Sequence, residues 1–569
     1  MGNAEISRRS FLKGAGVAAV GAAALGAAGC ASSTEGETSL GNTGATFEGM
    51  PESWEAEADF IILGTGGAGL SAAITAAKEE LGTAIVLEAS PEHFEGGNSR
   101  ACWQLVCCPD SADELVKYQK ALNGDYVVED ELLQAWANES VKTVEWLTDL
   151  GADMQETPYF APEYPEVEGS SSVKTYFIDG HPGDAKCWEF LRDVASDFDI
   201  DIRYDSRGVE LIHNPDTDEV YGIKTEDGRC FKAKKAVILG CGGFENNQEM
   251  LRSYFMAGFP YVGFQGTPYN RGDGLTMCER LGAQMWHTNT YTLDMCAVQY
   301  GDEQLQALDP AIVGSKPMVY RPSFSESDYI YVGMDGARFM YEEECALCRH
   351  GMVGMGGTHV TFRAPTPCWC IFGQKSYDAS PEMVHESVTF GSGFFGMAGY
   401  GDELITNEDY INAGLMKKCD TIAELAAATG IDEAGLEYTI NEYNGFVENQ
   451  SDPKFHRGEP VYASFSMMEA NDDDNKPVIE AFELSKIEPP FYALEYGTGL
   501  INTQGGAKRN ANGQIIRNDN EPIGRLYGAG EFGSIFPFRY NGGGNFSESM
   551  SSGRIAVRHA ATLDAWDAE

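Results

Sequence analysis

Three glycines and one carboxylate supply the first chemistry. In the run Ala58-Asp59-Phe60-Ile61-Ile62-Leu63-Gly64-Thr65-Gly66-Gly67-Ala68-Gly69, the glycines at 64, 66 and 69 fill the G-x-G-x-x-G positions. Glu88 follows at about the spacing expected of a ribose-binding acid. The first N–H groups of a helix lack intrahelical acceptors and carry the positive end of its dipole, and residues without a Cβ let a pyrophosphate come close. The carboxylate would accept from ribose hydroxyls and repel a 2′-phosphate. Gly64, Gly66, Gly67, Ala68, Gly69 and Glu88 are therefore expected to hold an adenine dinucleotide.

The elements that must position these residues are legible around them. Phe60–Leu63 reads as a buried strand, 70–80 as an alanine-rich helix, and Thr83–Leu87 as the next strand. Short strands are expected at Val209–Leu211, Glu219–Lys224 and Cys230–Lys232, followed by a separate buried strand at Ala236–Leu239 that ends in Gly240-Cys241-Gly242-Gly243. Near the C-terminus, Leu526-Tyr527-Gly528-Ala529-Gly530-Glu531 precedes a helix opening at Gly542–Asn545. Between these parts, Asp420-Thr421 with Glu424 makes a capping signal, and Leu436, Ile440 and Tyr443 share one helical face.

The chain has 569 residues, enough for two or three domains with sizeable cores. With 87 acidic residues against 40 basic ones, its net charge of −47 argues against nucleic acid or an anionic membrane surface as partner. The same charge would attract a basic electron carrier, and it also serves solubility. Cys345/Cys348 and Cys368/Cys370 are spaced closely enough for an iron–sulfur cluster or a redox disulfide, but buried free thiols are the simpler expectation and no metal site is assigned. Asn471–Asn475 lacks the spaced ligands of a calcium loop and reads as a solvated turn.

Ser7-Arg8-Arg9-Ser10-Phe11-Leu12-Lys13 precedes a mildly apolar Gly/Ala stretch, the pattern of a twin-arginine export signal, so residues 1–30 are expected to be a signal and 31–55 a linker. The product would work in the periplasm or on the outer face of the cytoplasmic membrane. Membrane contact would come only through the signal or through a lipid on Cys30, whose cleavage box lacks the usual branched residue. Thr43-Gly44-Ala45-Thr46 resembles an FMN-attachment core without its usual setting.

The order of glycine segments resembles the flavoprotein subunits of the fumarate reductase and succinate dehydrogenase group, with their 3-ketosteroid dehydrogenase relatives. The resemblance implies an α/β fold with an α+β cap. A Rossmann-like FAD-binding domain at 56–310 and 498–569 would carry an inserted capping domain at 311–497. It further implies FAD contacts from Gly97, Asn98 and Ser99, from Val209 on the adenine side, and from Asp273, Glu531 and Asn545. The FAD would be non-covalent, because His93 stands at the wrong offset for attachment.

Two departures from the family pattern bear on the substrate. Asn502 stands where fumarate reductases carry histidine, and Tyr540-Asn541-Gly542-Gly543-Gly544-Asn545 replaces an arginine-containing segment. The latter resembles the Tyr-x-Gly-x-Gly segment of the ketosteroid enzymes, which implies that Tyr540 and the Gly544 N–H bind a ketone oxygen. Arg539 and Tyr341 are the candidates for charge or proton supply, with Arg349 and His350 nearby. The expected activity is reduction of an activated C=C bond in an apolar enone, lactone or enoate by hydride from flavin N5. Electrons would come from an external carrier such as a membrane-anchored cytochrome, as in exported flavin reductases of anaerobic bacteria that act on cardiac glycosides. The alternatives are a ketosteroid-type dehydrogenase and a flavin electron-transfer subunit without its own substrate.

Overall fold

The computed structural model describes residues 47–158, 161–178, 186–255, 263–264, 266–298, 318–320, 324–343, 352–355, 358–361, 365–384, 404–460 and 480–567. The proposed export signal, Cys30 and Thr43–Thr46 lie outside the described residues, as do Cys345, Cys348, Arg349, His350 and Asn471–Asn475.

Five parallel strands form the centre of the first sheet. Their spatial order is Asp201–Arg203, Ala84–Leu87, Ala56–Leu63, Cys230–Leu239 and Pro522–Gly528. Strands covered on both faces need apolar residues at successive positions, which is why Phe60, Ile61, Ile62 and Leu63 are all buried. The pleat divides them. Ile61 and Leu63 join Val237 and Leu239 on one side, whereas Phe60 and Ile62 face the helices Gly67–Lys78 and Gly544–Ala561 through Ala72, Ala76, Ala556 and Val557. Small residues let those two helices approach closely: a Cβ on Gly553 would stand 2.3 Å from the carbonyl oxygen of Ala68.

One expectation is corrected here. Cys230–Lys232 and Ala236–Leu239 are not separate strands but parts of one ten-residue strand. Its first part pairs antiparallel with Glu219–Thr225, and its last part runs parallel to Pro522–Gly528. The intervening lysines look like a break in the sequence, yet Lys232 and Lys234 both pair with Glu57 on the neighbouring strand.

The second sheet is built around the long strand Phe491–Thr503. Tyr291–Val298, Cys368–Phe372, Met416–Cys419 and Gly263–Phe264 all pair with it, and Tyr329–Val332 continues the sheet beyond Cys368–Phe372. This sheet draws on residues before 311, and its central strand runs unbroken through position 497, so the expected limits of the cap do not coincide with limits of the sheet. The Cys368 and Cys370 side chains are buried in its core.

Helix Ile422–Thr429 begins with the expected capping box: Thr421 Oγ1 accepts from the Glu424 N–H at 3.2 Å, and the Glu424 carboxylate accepts from the Thr421 N–H at 3.1 Å. Leu436, Ile440 and Tyr443 are buried along Glu433–Glu448. A charged cluster ties this helix to the sheet: Arg338 pairs with Glu342 and Asp452, Arg457 pairs with Glu343, and Arg457 donates both to the Tyr443 hydroxyl on the helix, at 3.1 Å, and to the Tyr329 carbonyl on the sheet. Among the described residues no helix is long and apolar enough to cross a membrane.

Candidate active site

A cleft opens where the Ala56–Leu63 strand passes into its helix. Gly64 has φ +94°, a conformation that L side chains rarely adopt, and a Cβ on Gly69 would lie 1.9 Å from the Gly64 carbonyl oxygen. The turn therefore brings the start of Gly67–Lys78 directly against the cleft, where Gly64, Gly66, Gly67, Ala68 and Glu88 are on the wall. Gly69 stands behind them in the strand–helix contact. Glu88 is buried and already structured: Oε2 accepts from the Thr65 N–H at 2.9 Å and the Thr65 hydroxyl at 2.6 Å, and Oε1 from the Ser90 N–H at 2.9 Å. Ser99 Oγ accepts from the Gly67 N–H at 2.8 Å, and the Trp188 indole donates to the Thr65 carbonyl at 3.0 Å.

Asp273 opens helix Asp273–Arg280, lines the cleft, and is ion-paired with Arg207. Burial raises its carboxyl above the usual range, against the opposing pull of Arg207. On the expected adenine side the wall is formed by Gly208. Val209 is not on it, and its carbonyl accepts from Arg280 at 3.2 Å.

At the other end, Gly97 and Asn98 reach the cleft from the short helix Gly97–Ala101. The Asn98 amide nitrogen donates to both oxygens of Glu531, at 3.3 and 3.0 Å, while its oxygen accepts from the Thr267 N–H at 3.0 Å. Glu531 is held by a second acid, Glu245, which accepts from the backbone and hydroxyl of Thr503. Burial first, and the charge of Glu245 second, push the Glu531 carboxyl well above the ordinary carboxylate range. Sequence reasoning missed Glu245 and Thr503. The available signal was an acid two residues after Gly242-Gly243, at the end of a buried strand.

Helix Gly544–Ala561 also begins at the cleft, following Gly543 at φ +79°. Asn545 and Phe546 lie on the wall, and their N–H groups fall in the first turn, where a helix offers no acceptor. The Asn545 and Asn502 carboxamide oxygens are buried without a hydrogen-bond partner, and both residues line the cleft. Tyr540 lines it too, stacked on Phe536 at 5.4 Å between ring centroids.

Three candidates are placed otherwise than expected. The Gly544 N–H donates to the Asn541 carbonyl at 2.7 Å, closing the turn that starts the helix, so it does not stand beside the Tyr540 hydroxyl as a donor. The Arg539 guanidinium donates to the carbonyls of Leu122 and Ala121, both at 3.2 Å, and packs over Tyr164; it closes the end of helix Ala112–Asn123 and is not on the cleft wall. Tyr341 is not on that wall either. It follows Met340, which belongs to the core of the second sheet.

The residues present fit a dinucleotide with a polar head. The glycine turn and helix start suit a pyrophosphate, and the unpartnered amides and second helix start suit a ring system with carbonyl and imide edges. The comparisons agree. Residues 59–547 match the family model for the FAD binding domain, and the chain belongs to that family. It is an FAD-dependent oxidoreductase of mixed helix and sheet, as expected. Among its relatives is a 3-oxosteroid 1-dehydrogenase of Mycolicibacterium smegmatis, 26% identical over 90% of this chain and 98% of that protein. A digoxin reductase of Eggerthella lenta is 24% identical over 99% of this chain and 98% of its own length. The open conformation of a flavocytochrome c3 fumarate reductase shares the fold, with a TM-score of 0.60, 22% identity, and coverage of 89% of this chain and 78% of the other.

Proposed function

We propose that the protein reduces a carbon–carbon double bond conjugated to a carbonyl in an apolar neutral molecule such as an enone or an unsaturated lactone. One observation carries this reading: among the described residues, none that lines the cleft is an arginine, lysine or histidine. A small dicarboxylate needs cations at its binding site, because burying its charges without them is costly. A ketone or lactone oxygen needs only neutral donors placed where negative charge will gather.

FAD, when bound, supplies the hydride. The Tyr540 hydroxyl and the first-turn N–H groups at Asn545 and Phe546 would donate to the carbonyl oxygen and to the cofactor's polar edge, and the Asn502 and Asn545 carboxamide oxygens would accept from an N–H of that edge. Glycine and tyrosine around them keep the pocket apolar and unblocked. The similarity to a digoxin reductase supports the same substrate chemistry, since digoxin bears an unsaturated lactone. Likeness to a 3-oxosteroid 1-dehydrogenase favours a second reading on the same site, in which a saturated ketone is desaturated.

We place the protein outside the cytoplasmic membrane, on the strength of Ser7–Lys13, with Cys30 as a lipid site and electrons drawn from an external carrier such as a membrane-anchored cytochrome. Anaerobic reoxidation of the reduced enzyme by dicarboxylates, cinnamates, enones and butenolides tests the substrate class, with the oxidised enzyme and saturated ketones as the reverse arm. Enones or butenolides are expected to react fastest. Fumarate reacting fastest would sink the proposal.

A further inference from the structure

Two carboxyl groups meet at the buried edge of the cleft. Glu245 is 2% exposed, and its Oε1 accepts from the Thr503 N–H at 2.6 Å and from the Thr503 hydroxyl at 3.0 Å. Glu531 lies on the cleft wall, where Asn98 donates to both of its oxygens. Both acids crowd Gly243: a Cβ there would stand 2.5 Å from Glu245 Oε1 and 2.8 Å from Glu531 Oε1. Among the described residues Glu245 Oε2 is buried without a hydrogen-bond partner, and two carboxyl groups this close are joined by a hydrogen bond only when one of them carries a proton.

We propose that Glu245 is a positioning residue for the cofactor: it shares one proton with Glu531, so that the pair, held in place by Asn98 and Thr503, meets the ribityl hydroxyls of FAD with one negative charge rather than two. Glu245 accepts from the Thr503 N–H and hydroxyl at Oε1, and Glu531 accepts from Asn98 at both oxygens, so both acids are already supplied with donors and a single proton between them serves the remaining carboxyl oxygen. Burial and the neighbouring acid both raise the Glu531 carboxyl. Among the described residues the titratable groups that face it are Glu245 and the Cys102 thiol, which comes from the loop after Gly97–Ala101. Neither is a cation that would draw the proton off. The arrangement admits one negative charge, not two, into a dry site that must also take a pyrophosphate.

The inference rests on FAD occupancy and not on the alkene reading, so the two fail separately. The test is FAD affinity of the full-length apoprotein, from mildly acidic to mildly alkaline pH, with the infrared C=O band of a protonated carboxyl as a second readout. Wild type should bind FAD with a flat profile. Glu531→Gln, a permanently neutral analogue, should bind with similar affinity and lose one protonated-carboxyl band at neutral pH. Glu245→Gln removes the like charge but leaves the burial, so the protonated-carboxyl band should be lost at lower pH than in wild type, and affinity should fall about 10-fold across the pH range in which it is lost. Glu245→Asp should restore the flat profile. The proposal is overturned if Glu531→Gln abolishes FAD binding, or if Glu245→Gln keeps the wild-type profile. Should Glu245→Gln fail to fold, an infrared spectrum in which wild type and Glu531→Gln carry the same bands would overturn it.

Discussion

At the nucleotide end of the cleft the side chains of Thr65, Glu88 and Ser99 direct their hydrogen bonds to one another and to backbone N–H groups, whereas at the opposite end Asn502 and Asn545 keep buried carboxamide oxygens without partners. The first end is a finished mould. Its shape comes from glycine geometry and from bonds that exist before any ligand arrives, so binding there needs little reorganisation. Leaving a buried polar atom unpaired costs roughly 1–3 kcal/mol, so the second end holds acceptors that the described residues leave unpaired and that a bound ligand would satisfy. The contrast separates what holds a cofactor from what is offered to the reacting molecule.

The largest expected effect breaks the mould. Gly69→Ala forces a methyl against the Gly64 carbonyl, and the variant should lose at least ~2 kcal/mol of stability and purify without flavin, as read from the melting midpoint and the flavin-to-protein absorbance ratio. A yellow, stable Ala variant would show that the turn adapts and that the contrast is overstated.

Tyr540→Phe probes the other end. Enone turnover should slow by at least ~10-fold while flavin content stays at the wild-type level, given the usual worth of one donor to a developing oxyanion. An unchanged rate would leave Tyr540 with its packing role against Phe536 alone.

Arg539→Met should be smaller and purely structural. Losing two bonds to the carbonyls of Ala121 and Leu122 should cost about 1 kcal/mol in denaturant unfolding, with turnover unaffected. A rate defect at full stability would return Arg539 to the chemistry.

The smallest effect is an absence of reaction. Cys102 and Cys241 both line the cleft, and burial pushes each thiol from an ordinary 9.0 up to about 12. Because the folded state favours the neutral thiol, the stability this contributes is complete below pH 9.0 and is lost as pH rises toward about 12. At mildly alkaline pH neither thiol should alkylate until the protein unfolds, which mass spectrometry of iodoacetamide-treated protein can follow. Prompt labelling of one and not the other would show which end of the cleft opens.

The dinucleotide turn was legible because its requirement is local: a strand, a glycine turn and a helix start are consecutive in the chain. The capping box at Thr421 and the buried face of Leu436, Ile440 and Tyr443 were readable for the same reason. What escaped depends on partners distant in sequence. The run from Cys230 to Leu239 looks broken by lysines until Glu57 is seen beside them. The role of Arg539 is decided by carbonyls at the end of a helix hundreds of residues earlier, and that of the Gly544 N–H by which of two acceptors the turn supplies. Glu245 and Glu531 carry no shared motif, and only the folding of two glycine-bearing strand ends against one another brings them together.

The strand Phe491–Thr503 joins the middle of the second sheet to the edge of the cleft, and its pairing with Tyr291–Val298 steps from Leu500 to Asn502, leaving Ile501 as a bulge. A bulge bends and twists the strand that carries it, so the regular ladder stiffens the chain up to Leu500 and the change of direction falls at the cleft. Ile501 therefore aims Asn502 at the cleft and Thr503 at Glu245.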